Sequence, residues 1–533
     1  MQVSATSLNL ASMISHHARL SPTREAIVWE NVRLSYGELD KLSNRVAHAL
    51  AEMNIGLGDK VALICPNLPF FPIVYYGIIK AGAAVVPLNV LFAPREIAYH
   101  LADSDAKAVF VFEGTDELLL AERTKEAFDS VDTCEHLVVM TKDLMGPSPF
   151  SEHRTLTELT FDKPETFQIV PTKPDDTCAI LYTSGTTGQP KGAELTHFNI
   201  FMNANAAWAL HFPSLDFTSG EQPVCLITLP LFHTTGQTAQ MNAQLLAGNR
   251  VVLLPRFEVE AALHAFRSEG VNFWTGVPTM YWAILKFVEE NDIDVEPYAR
   301  SMKVLSSGGA PMPVELMRKF EEKFRVRILE GYGLSETSPI ATFNHPTVPS
   351  KIGTVGQPLS GVEVMCVDDN DIEVPRGERG EVVIRGHNVM KGYYNRPDAT
   401  AEAFRNGWFH SGDIGVMDPE GFLSIVDRKK DMILRGGYNI YPRELEEVII
   451  THPAVSLCAV IGVHDDRLGE EVKAFIVLNQ GAELSTDDFV EWCKTQFAAN
   501  KYPRHVEIRD SLPVGGTGKI FKRALKEEQA SGN

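Results

Sequence analysis

The chain has 533 residues, of which 44% are hydrophobic and 22% charged, and its 69 Asp and Glu against 49 Lys and Arg give a formal net charge of -20. This length corresponds to about three or four domains, and the composition is that of a globular protein rather than a disordered, collagen-like or coiled-coil one. The acidic balance argues against a protein that wraps nucleic acid, because such proteins neutralise phosphates with clustered Lys and Arg.

The seven cysteines and the apolar segments bear on the compartment. No two cysteines are closer than 35 residues, so neither a CxxC metal cluster nor a disulfide framework is expected, which favours a reducing cytoplasm.

The N-terminus lacks the charged start and apolar run of a signal peptide. The most apolar stretch, Leu68–Pro94, contains Lys80 and four prolines. We therefore expect no transmembrane segment, and peripheral membrane contact remains open.

Helical and β-rich patterns alternate through the first 350 residues. A capping box at Ser35 and Glu38 begins an amphipathic helix that is expected to stop at Gly56. Short apolar runs predict strands. These runs are Lys60–Ile64, Ala84–Leu88, Val109–Phe112, Leu137–Met140 and Val251–Leu254. The alternation predicts α/β layers with largely parallel sheets.

The pattern changes after about Gly353. Three β-like runs separated by Gly, Pro and Asp turns predict a small β module there: Val362–Val367, Gly380–Arg385 and Phe422–Val426. Beyond Asp427 a compact α+β unit is expected, with helices at Pro442–Ile450 and Ser485–Gln496 and strands at Val455–Gly462 and Val472–Leu478. We place the main domain boundary at Asp427–Asp431.

The segment Leu181–Gly192 has the chemistry of a phosphate-binding loop. Its sequence, LYTSGTTGQPKG, contains three glycines that allow close backbone approach, four hydroxyls and Lys191. It does not match the Walker pattern, because Pro190 stands where the Gly-Lys pair would have to begin. An ordinary P-loop ATPase is therefore disfavoured.

This segment resembles the phosphate-binding signature of the adenylate-forming superfamily, and the resemblance extends from the LSYGEL motif at Leu34 to Lys519. It is most similar to bacterial medium- and long-chain fatty acid-CoA ligases. The resemblance implies a large N-terminal domain, residues 1–426, of two α/β subdomains and a β-barrel-like module at about 353–426. A hinge at 427–431 and a small mobile α+β lid domain at 432–533 follow.

The resemblance assigns residues to the nucleotide and its metal. Glu336 and Thr187 are expected to bind Mg²⁺, Thr337 phosphate, Tyr332 the adenine and Asp413 the ribose. ATP or AMP binding falls on Thr183, Ser184, Gly185, Thr186, Thr187, Gly188, Lys191, Gly309, Ala310, Pro311, Gly331, Tyr332, Gly333, Asp413 and Arg428. A carboxylate beside a triphosphate is chemically suited to Mg²⁺.

The remaining assignments concern catalysis and CoA. Lys519 is expected to be the catalytic lysine, and His233 is expected to border the acyl carboxylate without acting as a general base. Lys430 is the expected hinge residue. The resemblance places CoA along Gly436, Gly437 and Tyr438. Lys522, Arg523 and Lys526 are either a solvated face or a patch for the CoA phosphates.

The expected acyl pocket includes Phe232, Gly276, Val277, Gly308 and Gly333. The segments that should form it contain no Arg or Lys, which favours a hydrophobic monocarboxylic acid. A medium- or long-chain fatty acid is the first interpretation. An aryl acid such as a cinnamate is the alternative, because Phe232, Trp274 and Tyr281 could flank a ring.

We therefore predict an ATP-dependent acyl-CoA synthetase that forms an acyl-adenylate and releases AMP and pyrophosphate. Its expected partners are the acid, ATP, CoA and Mg²⁺, without nucleic acid. Loading of a carrier-protein phosphopantetheine and a non-catalytic scaffold remain alternatives, and the protein could be a monomer or a homodimer.

Overall fold

The computed structural model describes residues 6–183, 189–211, 214, 221–348, 351–465 and 467–531. The strands, in chain order, are β1 Glu25–Trp29, β2 Val32–Ser35, β3 Lys60–Ile64, β4 Ala84–Pro87, β5 Ala106–Phe112, β6 His136–Met140, β7 Thr177–Thr183, β8 Lys191–Thr196, β9 Val224–Ile227, β10 Arg250–Leu253, β11 Phe273–Gly276, β12 Val304–Gly308, β13 Ile328–Gly333, β14 Ile340–Phe343, β15 Gln357–Pro358, β16 Val362–Val367, β17 Arg379–Gly386, β18 Gly392–Tyr393, β19 Phe404–Arg405, β20 Trp408–Met417, β21 Leu423–Arg428, β22 Ile433–Arg435, β23 Tyr438–Ile440, β24 Val455–Asp465, β25 Gly469–Leu478 and β26 His505–Arg509.

The helices, in the same order, are α1 Ser12–Leu20, α2 Tyr36–Glu52, α3 Phe70–Lys80, α4 Pro94–Asp103, α5 Leu120–Phe128, α6 Leu156–Thr160, α7 His197–His211, α8 Ala243–Leu246, α9 Val259–Ser268, α10 Pro278–Glu290, α11 Glu296–Ala299, α12 Val314–Phe324, α13 Pro397–Ala403, α14 Pro442–Ile449, α15 Thr486–Gln496 and α16 Lys522–Ser531. A π-helical segment covers Thr235–Asn242 and a 3₁₀ turn covers Ser335–Thr337.

Two large sheets dominate the part of the chain before Gly353. One has the strand order β18-β8-β7-β4-β3-β5-β6, and the other β15-β14-β13-β12-β11-β9-β10-β1-β2. Pairing is parallel in their centres and antiparallel at β7–β8 and β13–β14. The predicted α/β class is confirmed, and the antiparallel pairs are local additions that the apolar runs did not indicate.

The two smaller sheets lie in the part of the chain where the residue pattern changes. Strands β16, β17, β19, β20 and β21 form an antiparallel sheet between residues 362 and 428. Strands β22 to β26 form a mixed sheet beyond residue 432, in which β26 pairs with β25 in parallel. Separate apolar clusters fill the C-terminal unit, around Ile433 and Phe489 on one face of its sheet and Phe475 and Leu512 on the other. The C-terminal unit thus has a core of its own.

Local sequence determines the ends of several helices. The predicted capping box is present, with Glu38 N donating to Ser35 Oγ and Ser35 N to Glu38 Oε2. The helix ends at Glu52, before the expected Gly56, because Asn54 adopts a left-handed φ of 56°. Within the described ranges, no helix combines the length and apolarity that crossing a bilayer requires.

Candidate active site

The carboxyl ends of three parallel strands meet at a large cleft. Strands β11, β12 and β13 are neighbours and end at Gly276, Gly308 and Gly333. Ligands of α/β proteins bind at such strand ends. The cleft has a volume of about 2080 Å³, and its other walls are the β7–β8 hairpin, the β20–β21 pair and the turn at residues 514–521 of the C-terminal unit.

Strands β7 and β8 precede and follow the glycine-rich segment along the chain. Thr183 and Lys191 are paired across the two strands and both line the cleft. Lys191 Nζ lies 5.2 Å from the centre of the Tyr393 ring, which is a cation–π contact. The predicted ligands Ser184, Gly185, Thr186, Thr187 and Gly188 lie outside the described residues.

Glu336 is a buried carboxylate on the cleft wall. Its Oε1 accepts hydrogen bonds from Tyr393 Oη at 2.9 Å and Thr183 Oγ1 at 3.2 Å, so among the described residues Oε2 accepts none. A buried carboxylate with a second oxygen available fits Mg²⁺, which takes few protein ligands and several phosphate oxygens. No cluster of three or more His, Cys, Asp or Glu suited to a metal occurs in the described ranges.

Thr337 does not reach the cleft in this structure. It is 0% exposed, and its Oγ1 accepts from Leu334 N at 2.9 Å and donates to Pro339 O at 2.5 Å. Its hydroxyl thus stabilises the turn that carries Glu336. Its predicted contact with phosphate remains a prediction that this geometry does not support.

Asp413 interacts with two other predicted site residues, Tyr332 and Arg428. Its Oδ2 accepts from Tyr332 Oη at 2.6 Å, and its Oδ1 lies 3.2 Å from Arg428 Nε across the β20–β21 pair. Burial, at 3% exposure, raises the pKa of Asp413, and the Arg428 charge opposes that rise. The sequence predicted all three residues for the nucleotide site, and tertiary structure brings them together.

Two glycines are required where the backbone passes close to other groups. A Cβ on Gly333 would lie 1.8 Å from Pro339 O. Gly309 has a φ of 78°, and a Cβ there would lie 2.8 Å from Lys519 Nζ. Ala310, Pro311 and Gly331 also line the cleft.

Lys519 enters the cleft on the turn of the C-terminal unit. Gly515 N donates to Lys519 O, and Thr279 Oγ1 of the large domain donates to Gly518 O at 2.5 Å. Burial, and then the charge of Arg428, lower the pKa of Lys519 to about 8. The ammonium is therefore present at neutral pH and is easily deprotonated above it.

His233 lies on the same side of the cleft as Lys519. Burial, and then the Lys519 charge, lower the pKa of His233 to about 3, so the ring is neutral. Its Nδ1 accepts from Thr235 N at 3.3 Å, which assigns the ring proton to Nε2. The ring can thus donate one hydrogen bond and is not poised as a base at neutral pH.

The predicted hinge residue lines the cleft, whereas the three residues predicted to bind CoA do not. Lys430 is exposed in a turn where Asp431 N and Met432 N donate to Arg428 O. Gly436, Gly437 and Tyr438 form the β22–β23 hairpin, outside the cleft wall, and Tyr438 is exposed. Three further basic residues line the cleft and are ion-paired, Lys522 with Glu446, Arg523 with Glu527 and Lys526 with Asp431.

The acyl pocket differs from the prediction at several positions. Phe232, Gly308 and Gly333 line the cleft, but Gly276 and Val277 do not. Trp274 and Tyr281, which could flank a ring under the aryl alternative, do not line the cleft and are buried in the core. Trp274 Nε1 donates to Thr228 Oγ1, and Tyr281 Oη to Ser306 O.

Trp282 lines the cleft, whereas its neighbour Tyr281, the aromatic residue expected to do so, does not. Consecutive helical residues point about 100° apart, so α10 directs Tyr281 to the core and Trp282 to the cleft. Two roles were not predicted from the sequence: Tyr393 holds Glu336, and Thr279 docks the turn. Neither belongs to a recognisable motif, so only the fold could have found them.

The chain matches two family models, the AMP-binding enzyme at residues 14–394 and the AMP-binding enzyme C-terminal domain at residues 444–519. It is 36% identical over 518 residues to a feruloyl-CoA synthase of Amycolatopsis sp, covering 97% of this chain and 98% of the relative. A long-chain-fatty-acid–CoA ligase of Bacillus subtilis is 35% identical over 544 residues, covering 98% and 94%. The crystal structure of ATP-bound MatB from Rhodopseudomonas palustris superposes with a TM-score of 0.86 at 30% identity, covering 98% and 99%.

Proposed function

The chain belongs to the AMP-binding enzyme family of adenylate-forming acid–CoA ligases, and on that premise we propose that it joins a hydrophobic monocarboxylic acid to CoA in two steps. The carboxylate oxygen first bonds to the α-phosphorus of ATP and pyrophosphate leaves. The CoA sulfur then bonds to the carbonyl carbon of the acyl-adenylate and AMP leaves. A cytoplasmic location goes with this proposal.

The observation that carries the proposal is the position of Lys519. Its ammonium lies against Gly309 at the end of β12, in the cleft that also contains Asp413, Tyr332 and Arg428. A cation there can offset the charge that develops as the carboxylate attacks. His233 is neutral, which suits a reaction whose nucleophile is already ionised.

Glu336 is the described residue best suited to hold Mg²⁺, and Thr187 is the other predicted ligand. When bound, the ion would neutralise phosphate charge and stabilise the departing pyrophosphate. Tyr393 and Thr183 orient the Glu336 carboxylate, and Asp413 offers hydrogen-bond acceptors to the ribose hydroxyls.

The test is pyrophosphate release from ATP with a panel of acids, followed by thioester formation with CoA alone. Acid-dependent pyrophosphate release and a CoA thioester are expected. Pyrophosphate release without a thioester would favour a carrier-protein acceptor, and no release with any acid would contradict the proposal and favour a scaffold.

A fatty acid is the first candidate substrate, supported by the similarity to the long-chain-fatty-acid–CoA ligase. Leu210, Phe232, Trp282 and Leu316 line the cleft and offer apolar surface to a chain. Medium- and long-chain acids should then give the highest kcat/KM in the panel.

One observation favours an aryl acid with polar substituents as the second candidate. Thr234 and Ser307 line the cleft and are almost fully buried, and their hydroxyls have no partner among the described residues. An aliphatic chain would leave both unsatisfied, which is costly, whereas a phenol or methoxy group could bond to them. The similarity to feruloyl-CoA synthase points the same way.

The two candidates are separated by comparing decanoate, cinnamate and 4-hydroxycinnamate. If the hydroxyls recognise the substrate, 4-hydroxycinnamate should exceed cinnamate by about tenfold in kcat/KM, and Thr234→Val should reduce that ratio. A higher kcat/KM for decanoate, unchanged in Thr234→Val, would select the fatty acid.

A further inference from the structure

Asp103 is a carboxylate that the proposed chemistry does not use. It is the last residue of α4, and its side chain is 8% exposed. The C-terminal end of a helix carries a partial negative charge, so a nearly buried carboxylate there is destabilising unless a cation pairs with it. Helix stability therefore does not explain why an aspartate occupies this position.

Two side chains from distant parts of the sequence meet at this carboxylate. Tyr182 Oη, near the end of β7, donates to Asp103 Oδ2 at 2.8 Å. Arg396 Nη2, from the segment that follows β18, donates to Asp103 Oδ1 and forms an ion pair with it. Burial raises the pKa of Tyr182, so the phenol keeps its proton and remains a donor. We call Asp103, Tyr182 and Arg396 the Asp103 cluster.

The same two segments of chain meet a second time, at Glu336 on the cleft wall. Thr183 follows Tyr182 on β7, and Tyr393 is the last residue of β18. The hydroxyls of Thr183 and Tyr393 both donate to Glu336 Oε1, at 3.2 and 2.9 Å. Neighbouring residues of a strand point to opposite faces, which is why β7 can reach Asp103 with one residue and Glu336 with the next. Two carboxylates thus connect the same pair of segments.

Helix α4 makes one more contact beside the predicted phosphate loop. Tyr99, one helical turn before Asp103, donates its hydroxyl to Pro190 O at 2.7 Å. Pro190 directly precedes Lys191, whose Nζ lies 5.2 Å from the centre of the Tyr393 ring. The helix therefore holds β7 at its end and β8 at its start, on the side of the hairpin that faces away from Glu336.

We propose that the Asp103 cluster positions Glu336 for MgATP. It holds the two segments together, so that the hydroxyls of Thr183 and Tyr393 stay on Glu336 Oε1 and the carboxylate keeps one orientation. Asp103 itself is a positioning residue, because it acts on Glu336 only through these neighbours. The inference rests on the proposed function, in which Glu336 holds the metal. Groups that support a metal-binding carboxylate from behind commonly control affinity as strongly as a direct ligand does.

The distinction between nucleotides supplies the test. Mg²⁺ bridges the β- and γ-phosphates of ATP, which AMP lacks. Loss of the Asp103 cluster should therefore weaken binding of MgATP and leave binding of AMP nearly unchanged. Both affinities are measured on the full chain by isothermal titration calorimetry, a readout that needs no turnover.

Tyr182→Phe removes the hydrogen bond to Asp103 and keeps the ring, which packs edge-on against His100 with ring centres 4.4 Å apart. It should weaken MgATP binding about fivefold to tenfold and AMP binding by less than about twofold. In steady-state kinetics the KM for ATP should rise while the KM for the acid stays the same. Thioester formation from supplied acyl-adenylate, which uses no triphosphate, should be spared.

The matched control is Tyr394→Phe. Tyr394 follows Tyr393 and also donates its hydroxyl to an aspartate, Asp105, at 2.8 Å. In the part of the chain that the structure describes, the Asp105 carboxylate accepts only from Tyr394 and Asn395, so this bond does not join β18 to β7. The control variant should bind MgATP like the wild type.

Arg396 tests the other half of the cluster. Arg396→Met should weaken MgATP binding in the same direction as Tyr182→Phe, and Arg396→Lys, which keeps a cation beside Asp103, should restore part of the affinity. In an Asp103→Asn background, Arg396→Met should cause no further loss, because its effect passes through the same carboxylate.

Equal weakening of MgATP and AMP binding, or equal slowing of both half-reactions, would mean a merely structural role and would overturn the inference. MgATP binding at the wild-type level in Tyr182→Phe and Arg396→Met would also overturn it. A wild type that binds MgATP but forms no thioester would instead contradict the proposed reaction, while the binding comparison still decides the role of Asp103. A wild type that binds no MgATP would refute both.

Discussion

The wall of the cleft that contains Asp413 and the turn that carries Lys519 are held in place in opposite ways. In the wall, Asp413, Tyr332 and Arg428 bond to one another on adjacent strands. The turn, in contrast, meets the large domain through the Thr279 hydrogen bond and a few van der Waals contacts. A wall of mutually bonded side chains stays formed throughout a reaction, whereas a turn docked by few bonds can leave.

The largest expected effect comes from removing Lys519, which distinguishes the turn from the wall directly. Lys519→Ala should slow adenylate formation by about 10²–10³-fold, because it removes the only cation that the turn brings into the cleft among the described residues. Thioester formation from supplied acyl-adenylate should be largely spared. Lys494→Ala, an exposed lysine on α15 paired with Glu491, is the control. If the variant slowed both half-reactions equally, Lys519 would act in both steps, as the residues of the wall do.

A substitution in the wall should slow adenylate formation and thioester formation alike. Asp413→Asn removes the charge that faces Arg428 and weakens the acceptor offered to ribose, which is present in both half-reactions. Each should slow by about 10–100-fold, the effect of weakening a charged hydrogen bond. Glu363→Gln removes an exposed ion pair with Arg385 in the same β module and should have little effect. Selective loss of adenylate formation in Asp413→Asn would contradict the comparison.

The pH dependence of the wild type tests the turn without a substitution. The pKa of Lys519 is lowered to about 8, and lysine is charged below its pKa, so the stabilising ammonium is lost as the pH rises. Adenylate formation should fall by about tenfold per pH unit well above 8. Lys519→Arg should abolish this fall, because arginine stays protonated. A fall that persists in Lys519→Arg would place the titrating group elsewhere.

The smallest expected effect concerns docking of the turn. Thr279→Val removes the hydrogen bond to Gly518 O, worth about 1 kcal/mol, and should slow adenylate formation about fivefold. Thr279→Ser keeps the hydroxyl and should retain most of the rate. If both variants behave like the wild type, the turn is docked by the packing of Gly518 against Val277 rather than by this bond.

Much of the cleft could be predicted from short segments of sequence. Tyr332, Asp413, Arg428 and Lys519 were each placed at the nucleotide site through motifs that resemble a known family, and all four line one cleft. The fold class followed from alternating helical and β-like patterns. The hinge, the CoA residues and the domain boundaries remain predictions.

Helical direction and partners distant in the sequence caused the failures. Residues next to each other on α10 point about 100° apart, so a list of aromatic residues could not separate Tyr281 from Trp282. The hydroxyl of Thr337 bonds to the turn that carries Glu336, and its predicted contact with phosphate stays a prediction. The Tyr393–Glu336 bond joins residues 57 positions apart, and no local pattern indicates it.

Short motifs specify the chemistry that the chain has available: a glycine-rich segment with Lys191, the carboxylates and the lysine of the last turn, in an order typical of one family. Which of these groups face one another depends on the tertiary structure, because hydrogen bonds and charge pairs depend on distances between strands and domains that no spacing along the chain encodes. The net charge is an example. An excess of acid over the whole chain says little about a cleft where Arg428 pairs with the buried carboxylate of Asp413 and Lys519 lines the same wall.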